Sequence, residues 1–258
     1  MNKTSYKFIL VFLVLLIFGL NYPFLDKALK NWLSDYEMGI AERVIDGDTI
    51  VVNDSSVRLL GINTPEKGEL FYSEAKSFLE NLTLNKLIRM EKGKEDLDLY
   101  GRKLRYIFEE GENVNLKLVE GGFANFYFPS GRDRYYSRFK EAWEKCMSED
   151  KNLCKKSEDK CSECIFLRKL DVNNQRVIFG NKCSFSCELK GWSVKDEGRK
   201  KLVFPNIEID KDLELIVGNG SNTESRIFWE EEDYVWTKTG DSLFLRDAEG
   251  NLVLWWSY

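Results

Sequence analysis

The chain contains no histidine. That absence excludes Ser-His-Asp and Cys-His nucleophile systems, imidazole-ligated zinc or iron, and any nuclease with a histidine general base. An enzyme built from this chain works with carboxylates, arginines, lysines, thiols or tyrosines. An excess of positive charge is also missing. The 38 Lys and Arg are outnumbered by 43 Asp and Glu, giving a net charge of −5, which argues against a generally basic nucleic-acid binder. No internal repeat recurs at 20–50 residues. Disorder is excluded by what is present: 43% hydrophobic and 14% aromatic residues are enough for real cores. At 258 residues the chain exceeds the usual single domain of about 100–200, so two domains are expected.

Only one long uncharged apolar run occurs, from Phe8 to Leu20, preceded by Lys3 and Lys7. A charged segment followed by an apolar one is the layout of a secretory address. No A-x-A-like cleavage site follows it, which favours a retained signal anchor over a cleaved signal. Positive charge before the run places the N-terminus in the cytoplasm and the remainder outside. Residues 1–37 are therefore expected to be a membrane helix and stalk, and the protein extracytoplasmic, membrane-anchored, or secreted if the segment is cleaved.

Residues 38–154 carry the candidate chemistry. Glu42–Val52 is two apolar runs around Asp-Gly, a hairpin signal, and Val57–Ile62 reads as a further strand. Tyr72–Leu82 has apolar residues at helical spacing. Lys86–Glu91 and Lys103–Glu109 read as strands, Asn113–Glu120 and Arg132–Met147 as helices. Strands with two or three helices in so short a span suggest a small β-barrel. Asp46-Gly47-Asp48-Thr49 sets two carboxylates beside a tight turn. Arg58 lies in an apolar strand, with Asn63, Thr64 and Glu66 just after it, and Tyr100-Gly101-Arg102 follows an acidic loop. Together these supply hard oxygen ligands for magnesium or calcium, a carboxylate free to act as base and two guanidinium forks for a phosphate. They form a phosphodiester-cleaving set that needs no histidine.

In this order and spacing, VIDGDTIVV, RLLGINTPE and YGRKLRYIF resemble the staphylococcal nuclease (thermonuclease) family, from about Ala41 to about Cys154. The resemblance implies an OB-type five-stranded barrel with packed helices. It also implies a calcium-dependent nuclease that cuts DNA and RNA at the 5′ P–O bond. Carried over by position, Asp48 is a calcium ligand and Thr64 offers its carbonyl. Glu66 is the general base, and Arg58 and Arg102 bind the phosphate and stabilise the transition state. Tyr100 and Leu104 line the nucleotide pocket, with Tyr127 as a candidate base-stacking residue beside Phe126 and Phe128. Two departures stand out. Asn63 occupies the place of the family's second carboxylate ligand, so weaker metal binding is expected. Leu99 stands where the family has a lysine. Lys92, Lys94, Arg102, Lys103 and Arg105 are candidates for a positive groove.

Residues 155–162 read as a polar linker. From 163 to 258, short strand-like runs separated by turn residues suggest an antiparallel sandwich. LKGWSVKD, LVFP, LELIV and GDSLFLRD resemble the lamin-tail domain, an immunoglobulin-like module that implies attachment to an envelope, protein or nucleic-acid partner. The six cysteines are Cys146, Cys154, Cys161, Cys164, Cys183 and Cys187. Outside the membrane an even count favours disulfides. The expected pairing is Cys146 with Cys154, and two bridges joining Cys161 and Cys164 to Cys183 and Cys187. A four-thiolate zinc site on the last four is the alternative. The fold class expected is thus mainly β (α+β). The function expected is a calcium-dependent extracytoplasmic endonuclease acting on DNA or RNA. Its alternative is a non-catalytic nucleic-acid- or envelope-binding surface protein that keeps the nuclease fold. Without histidine, no imidazole ionisation near about pH 6.5 is expected.

Overall fold

The computed structural model describes residues 36–258. The apolar N-terminal run lies outside them. Among the described residues no helix is long and apolar enough to cross a membrane.

Strand β1 (Tyr36–Asp46) buries Gly39, Ala41 and Val44, the alternation shifting by one residue where its pairing with β2 is irregular between Ala41 and Arg43. The Asp46-Gly47-Asp48 turn reverses the chain into β2 (Thr49–Val52), which pairs antiparallel with β1 and then with β3 (Ser55–Leu59). The turn is fixed locally: Asp46 Oδ1 accepts the Asp48 N–H at 3.1 Å. At Gly47 a Cβ would lie 2.8 Å from Thr64 Oγ1 and 2.9 Å from the Ala75 Cβ. Glycine is needed there because two later segments press on the turn.

After β3 the chain bends at Gly61, where φ is +74°. β4 (Gly61–Asn63) thereby leaves the barrel wall and pairs with β8 (Asn125–Tyr127) instead. The predicted Val57–Ile62 strand is thus split in two, because a residue in the left-handed region interrupts its extended backbone. Helix α1 (Tyr72–Thr83) packs Ala75 and Leu79 inward. β5 (Leu87–Leu97) pairs with β1, and β6 (Lys103–Glu109) with β5. A parallel β3–β6 pairing then closes the five strands into a barrel. β7 (Glu112–Asn113) leads into α2 (Val114–Glu120), which Asn113 caps by accepting the Leu116 N–H at 3.0 Å.

Helix α3 (Tyr136–Ser148) begins four residues later than its apolar stripe predicts. Asp133 is the reason. Its carboxylate accepts from Tyr106 Oη at 2.6 Å and from the Tyr135 N–H at 2.8 Å, holding the entry as a turn.

A short 3-10 turn, Asn152–Cys154, precedes the second half. One sheet there holds β9 (Ile165–Asp171), β10 (Arg176–Asn181), β15 (Asp212–Val217) and β16 (Arg226–Trp229). A second holds β12 (Ser193–Lys195), β13 (Lys201–Val203), β17 (Ser242–Arg246) and β18 (Leu252–Ser257). The pair β11 (Cys187–Glu188) and β14 (Glu208–Ile209) stands apart. Both four-stranded sheets send residues into one core, with Val177, Phe179, Leu213 and Trp229 from the first and Val194, Leu243 and Leu245 from the second. β15 and β16 run parallel, a departure from the purely antiparallel arrangement expected.

The two halves meet closely. Phe244 and Leu252 belong to the barrel-side core. Trp143 meets Phe244 edge-on with ring centroids 5.4 Å apart, and Phe126 meets Trp255 at 6.0 Å. The linker segment is also held, since Leu252 N donates to Lys155 O at 2.7 Å and Ser157 N to Leu252 O at 2.9 Å.

The cysteines pair as Cys146–Cys154, Cys161–Cys187 and Cys164–Cys183. All six sulfurs are in these bonds, so the four-thiolate zinc alternative falls. Bridges of this kind typically contribute about 2–4 kcal/mol each. Reduction is expected to lower the urea midpoint clearly, as read by denaturation with and without dithiothreitol.

Candidate active site

Strand register assembles the site. Thr49 lies opposite Arg58 across β2–β3, and Arg58 opposite Leu104 across β3–β6. Asp48 O also accepts the Leu59 N–H at 2.8 Å, which sets Asp48 beside Arg58. The two form a buried ion pair at 3.0 Å. Thr64 secures the same carboxylate: Asp48 Oδ2 accepts from the Thr64 N–H at 3.2 Å and from Thr64 Oγ1 at 3.1 Å. Arg58 further donates to Leu59 O at 2.6 Å, Ile62 O at 3.0 Å and Asn63 Oδ1 at 3.4 Å. Asp48 Oδ2 and Asn63 Oδ1 therefore converge on one guanidinium nitrogen.

Arg102 is held by a residue that the sequence reading did not single out. Asp98 accepts from the backbone N–H of Tyr100 and of Arg102, each at 2.9 Å, and from Arg102 Nε at 2.6 Å. Burial alone would raise the Asp98 carboxyl. The hydrogen bonds and charge of Arg102 outweigh it and hold the group below the usual aspartate range. Arg102 also reaches Thr49 Oγ1 at 3.5 Å and lies over the Tyr100 ring, 5.4 Å from its centroid.

Arg58, Arg102, Tyr100, Leu104 and Tyr127 line one cavity of about 570 Å³. Asp48, Asn63 and Thr64 lie buried behind Arg58. Phe126 is buried in the core, whereas Tyr127 and Phe128 both line the cavity. Glu66 is outside the cavity wall. Its Oε1 pairs with Arg199 Nε at 2.8 Å, and Arg199 does line the cavity. Leu99 is fully exposed and Tyr100 nearly so (81%).

The predicted groove needs correction. Lys94 and Arg102 line the cavity, but Lys103 and Arg105 pair with Glu37, and Lys92 lies 3.7 Å from Asp96. Arg105 is 1% exposed. It is a structural ion pair, because β6 turns its side chain inward.

The oxygens suit a hard cation. Burial, and then the neighbouring Asp48 charge, push the Asp46 carboxyl above the usual range. Crowded carboxylates of this kind are relieved by positive charge. Asn63 Nδ2 donates to Gly198 O at 2.7 Å, so the amide turns its oxygen toward Arg58 and Asp48. Asp48, Asn63 Oδ1 and Thr64 are thus an oxygen-only donor set compatible with calcium. Among the described residues, no group of three or more Asp, Glu, His or Cys is placed to hold a metal, so Asn63 and Thr64 would have to share that task with Asp48.

A model of the staphylococcal nuclease homologue family matches residues 56–156. The thermonuclease of Staphylococcus intermedius is 30% identical over 165 residues, covering 59% of this chain and 98% of that protein. The chain belongs to the staphylococcal nuclease family. Endonuclease YhcR of Bacillus subtilis is 35% identical over 128 residues, 42% of this chain and 10% of that protein. An uncharacterized endonuclease of Haemophilus influenzae is 34% identical over 105 residues, 38% of this chain and 57% of that protein. As a staphylococcal nuclease homologue, this protein is a phosphodiester hydrolase acting on nucleic acid. The family model ends at residue 156, yet a loop from beyond that point, 195–200, reaches the cleft.

That loop brings buried carboxylates. Burial, with the charge of Asp241 close by, pushes Asp196 up to about 6 and Glu197 to about 8. Asp241 is raised as well, mainly by burial. Lys195 and Lys200 face Asp196, and Tyr258 lies near Glu197 and Asp241. Such carboxyls keep protons in the fold where the unfolded chain has lost them. Folding then takes up protons from the ordinary glutamate value of 4.5 to about 8, so stability falls as pH rises through that window. The expected result is a urea midpoint that declines from mildly acidic pH to about 8, with Glu197→Gln flattening the upper part. A histidine-free chain therefore still has groups titrating near neutrality.

Proposed function

We propose that this nuclease is a calcium-dependent endonuclease of extracytoplasmic DNA or RNA, with Arg58, Glu66 and Arg102 as catalytic residues and Asp48, Asn63 and Thr64 as calcium ligands. The observation that carries this reading is the convergence of Arg58 and Arg102 on one cavity, beside the Asp48 and Asn63 oxygens. Tyr100, Leu104 and Tyr127 would accommodate the nucleotide, by stacking and apolar contact.

The strand's phosphate enters the cavity and is gripped by the guanidinium forks. Asp98 keeps Arg102 pointed inward, and Asp48 does the same for Arg58. Glu66 takes a proton from the attacking water as oxygen bonds to phosphorus, and the 5′ oxygen leaves. As negative charge grows on the phosphoryl oxygens, the arginines offset it without having to reorganise. Calcium, when bound, would add positive charge at the same oxygens and help to orient water. Contacts to the backbone dominate, so sequence preference is weak and salt sensitivity clear.

The location rests on the charged-then-apolar N-terminal run and on three disulfides. The second half, read as a lamin-tail-like immunoglobulin sandwich, would attach the enzyme to an envelope or protein partner. The test is cleavage by the full chain with calcium and with chelator. Cleavage lost in chelator and restored by calcium is expected. Undiminished cleavage in chelator removes calcium from the mechanism, and binding without cleavage under any metal favours a binding protein that keeps the nuclease fold.

A further inference from the structure

We propose that the second half of the chain supplies a third phosphate-binding guanidinium, Arg199, to the nuclease cleft. Arg199 lines the same cavity as Arg58 and Arg102. The inference rests on reading that cavity as the substrate site.

The loop that carries Arg199 is fixed by a clamp. Asn63 on β4 and Asn125 on β8 are direct register partners. Their side-chain amides donate to consecutive carbonyls of the loop, Asn125 to Glu197 O at 2.9 Å and Asn63 to Gly198 O at 2.7 Å. The Phe128 N–H donates to Glu197 Oε1 at 3.1 Å. All three bonds are buried, where an unmade bond costs about 1–3 kcal/mol. Arg199, the next residue after the clamp, is therefore delivered to one place.

Its contact with Glu66 is solvent-exposed on both sides. An exposed pair contributes little to stability, so folding alone does not account for so firm a mount. A guanidinium on the rim, half open to water, is free to turn to an entering phosphate. In a chain of net charge −5, each cation fixed in the cleft matters for drawing in the strand. The clamp also gives Asn63 a purpose of its own. An aspartate there has no N–H to donate to Gly198.

The test uses the full chain and a fluorescent single-stranded oligothymidylate, titrated in chelator at several salt concentrations. Arg199→Ala is expected to weaken binding about tenfold and to make the slope of log K against log salt shallower by about 0.7, one phosphate contact on a single strand. Arg199→Lys should keep the slope. Asn125→Asp, which swaps the clamp's donor for an acceptor, should reproduce the loss of slope without touching Arg199. Wild-type slope and affinity in Arg199→Ala overturn the proposal. So does faster cleavage with unchanged binding, since Arg199 would then merely block Glu66. If the wild-type chain cuts nothing with calcium while the slope change is seen, the catalytic reading falls and this one stands.

Discussion

Glu66→Gln is expected to lower kcat by about 10²–10⁴, the range a positioned general base supplies, with oligonucleotide affinity nearly unchanged. The substitution keeps the size of the side chain and removes its ability to hold a proton. Its ion pair with Arg199 is exposed, so the fold should tolerate the change. Steady-state kinetics with calcium, beside the binding titration, separates the two effects. A variant that cuts at the wild-type rate would remove Glu66 from the chemistry.

Arg58→Ala should have the second-largest effect, on two quantities at once. Losing a preorganised donor to the phosphoryl oxygens typically costs about 10²–10³ in rate. Here the same change leaves Asp48 buried without its cation, and orphaning one partner of a buried pair costs about 3–5 kcal/mol. The midpoint in urea should therefore fall together with activity. Arg58→Lys is the control. It returns charge to the site but cannot serve Asp48, Leu59 O and Ile62 O together as the planar fork does. More stability than activity should come back. A lysine variant as active as wild type would show that charge alone suffices there.

The barrel and most of its site were legible in the sequence because their signals are local. Asp-Gly-Asp makes its own turn, and strand register carries Thr49, Arg58 and Leu104 to neighbouring places. Asp98 was within reach as the acid preceding Tyr100-Gly101-Arg102, yet its role appears only once Arg102 folds back on it. Arg199 and Asn125 left no local mark. The segment from Lys195 to Lys200 carries no catalytic motif in the sequence, and its meaning lies in bonds to residues far away in the chain. Asn63 is legible in the sequence only as an oxygen donor; that its nitrogen also bonds Gly198 O depends on a segment far along the chain. The late start of α3 escaped the periodicity because Tyr135 fits the apolar stripe while Asp133 holds the entry as a turn.

The Asn63–Gly198 bond joins positions 135 residues apart. During synthesis the barrel's motifs are all made well before residues 195–200 exist. Until those residues arrive, the paired asparagine amides face water and the cleft lacks its last wall. Two disulfides, Cys161–Cys187 and Cys164–Cys183, close just upstream of that loop, so oxidation and completion of the cleft fall late and close together. A copy that ended before that loop would hold the barrel without Arg199 and the wall that carries it, which separates in time the making of the barrel from the completion of its cleft.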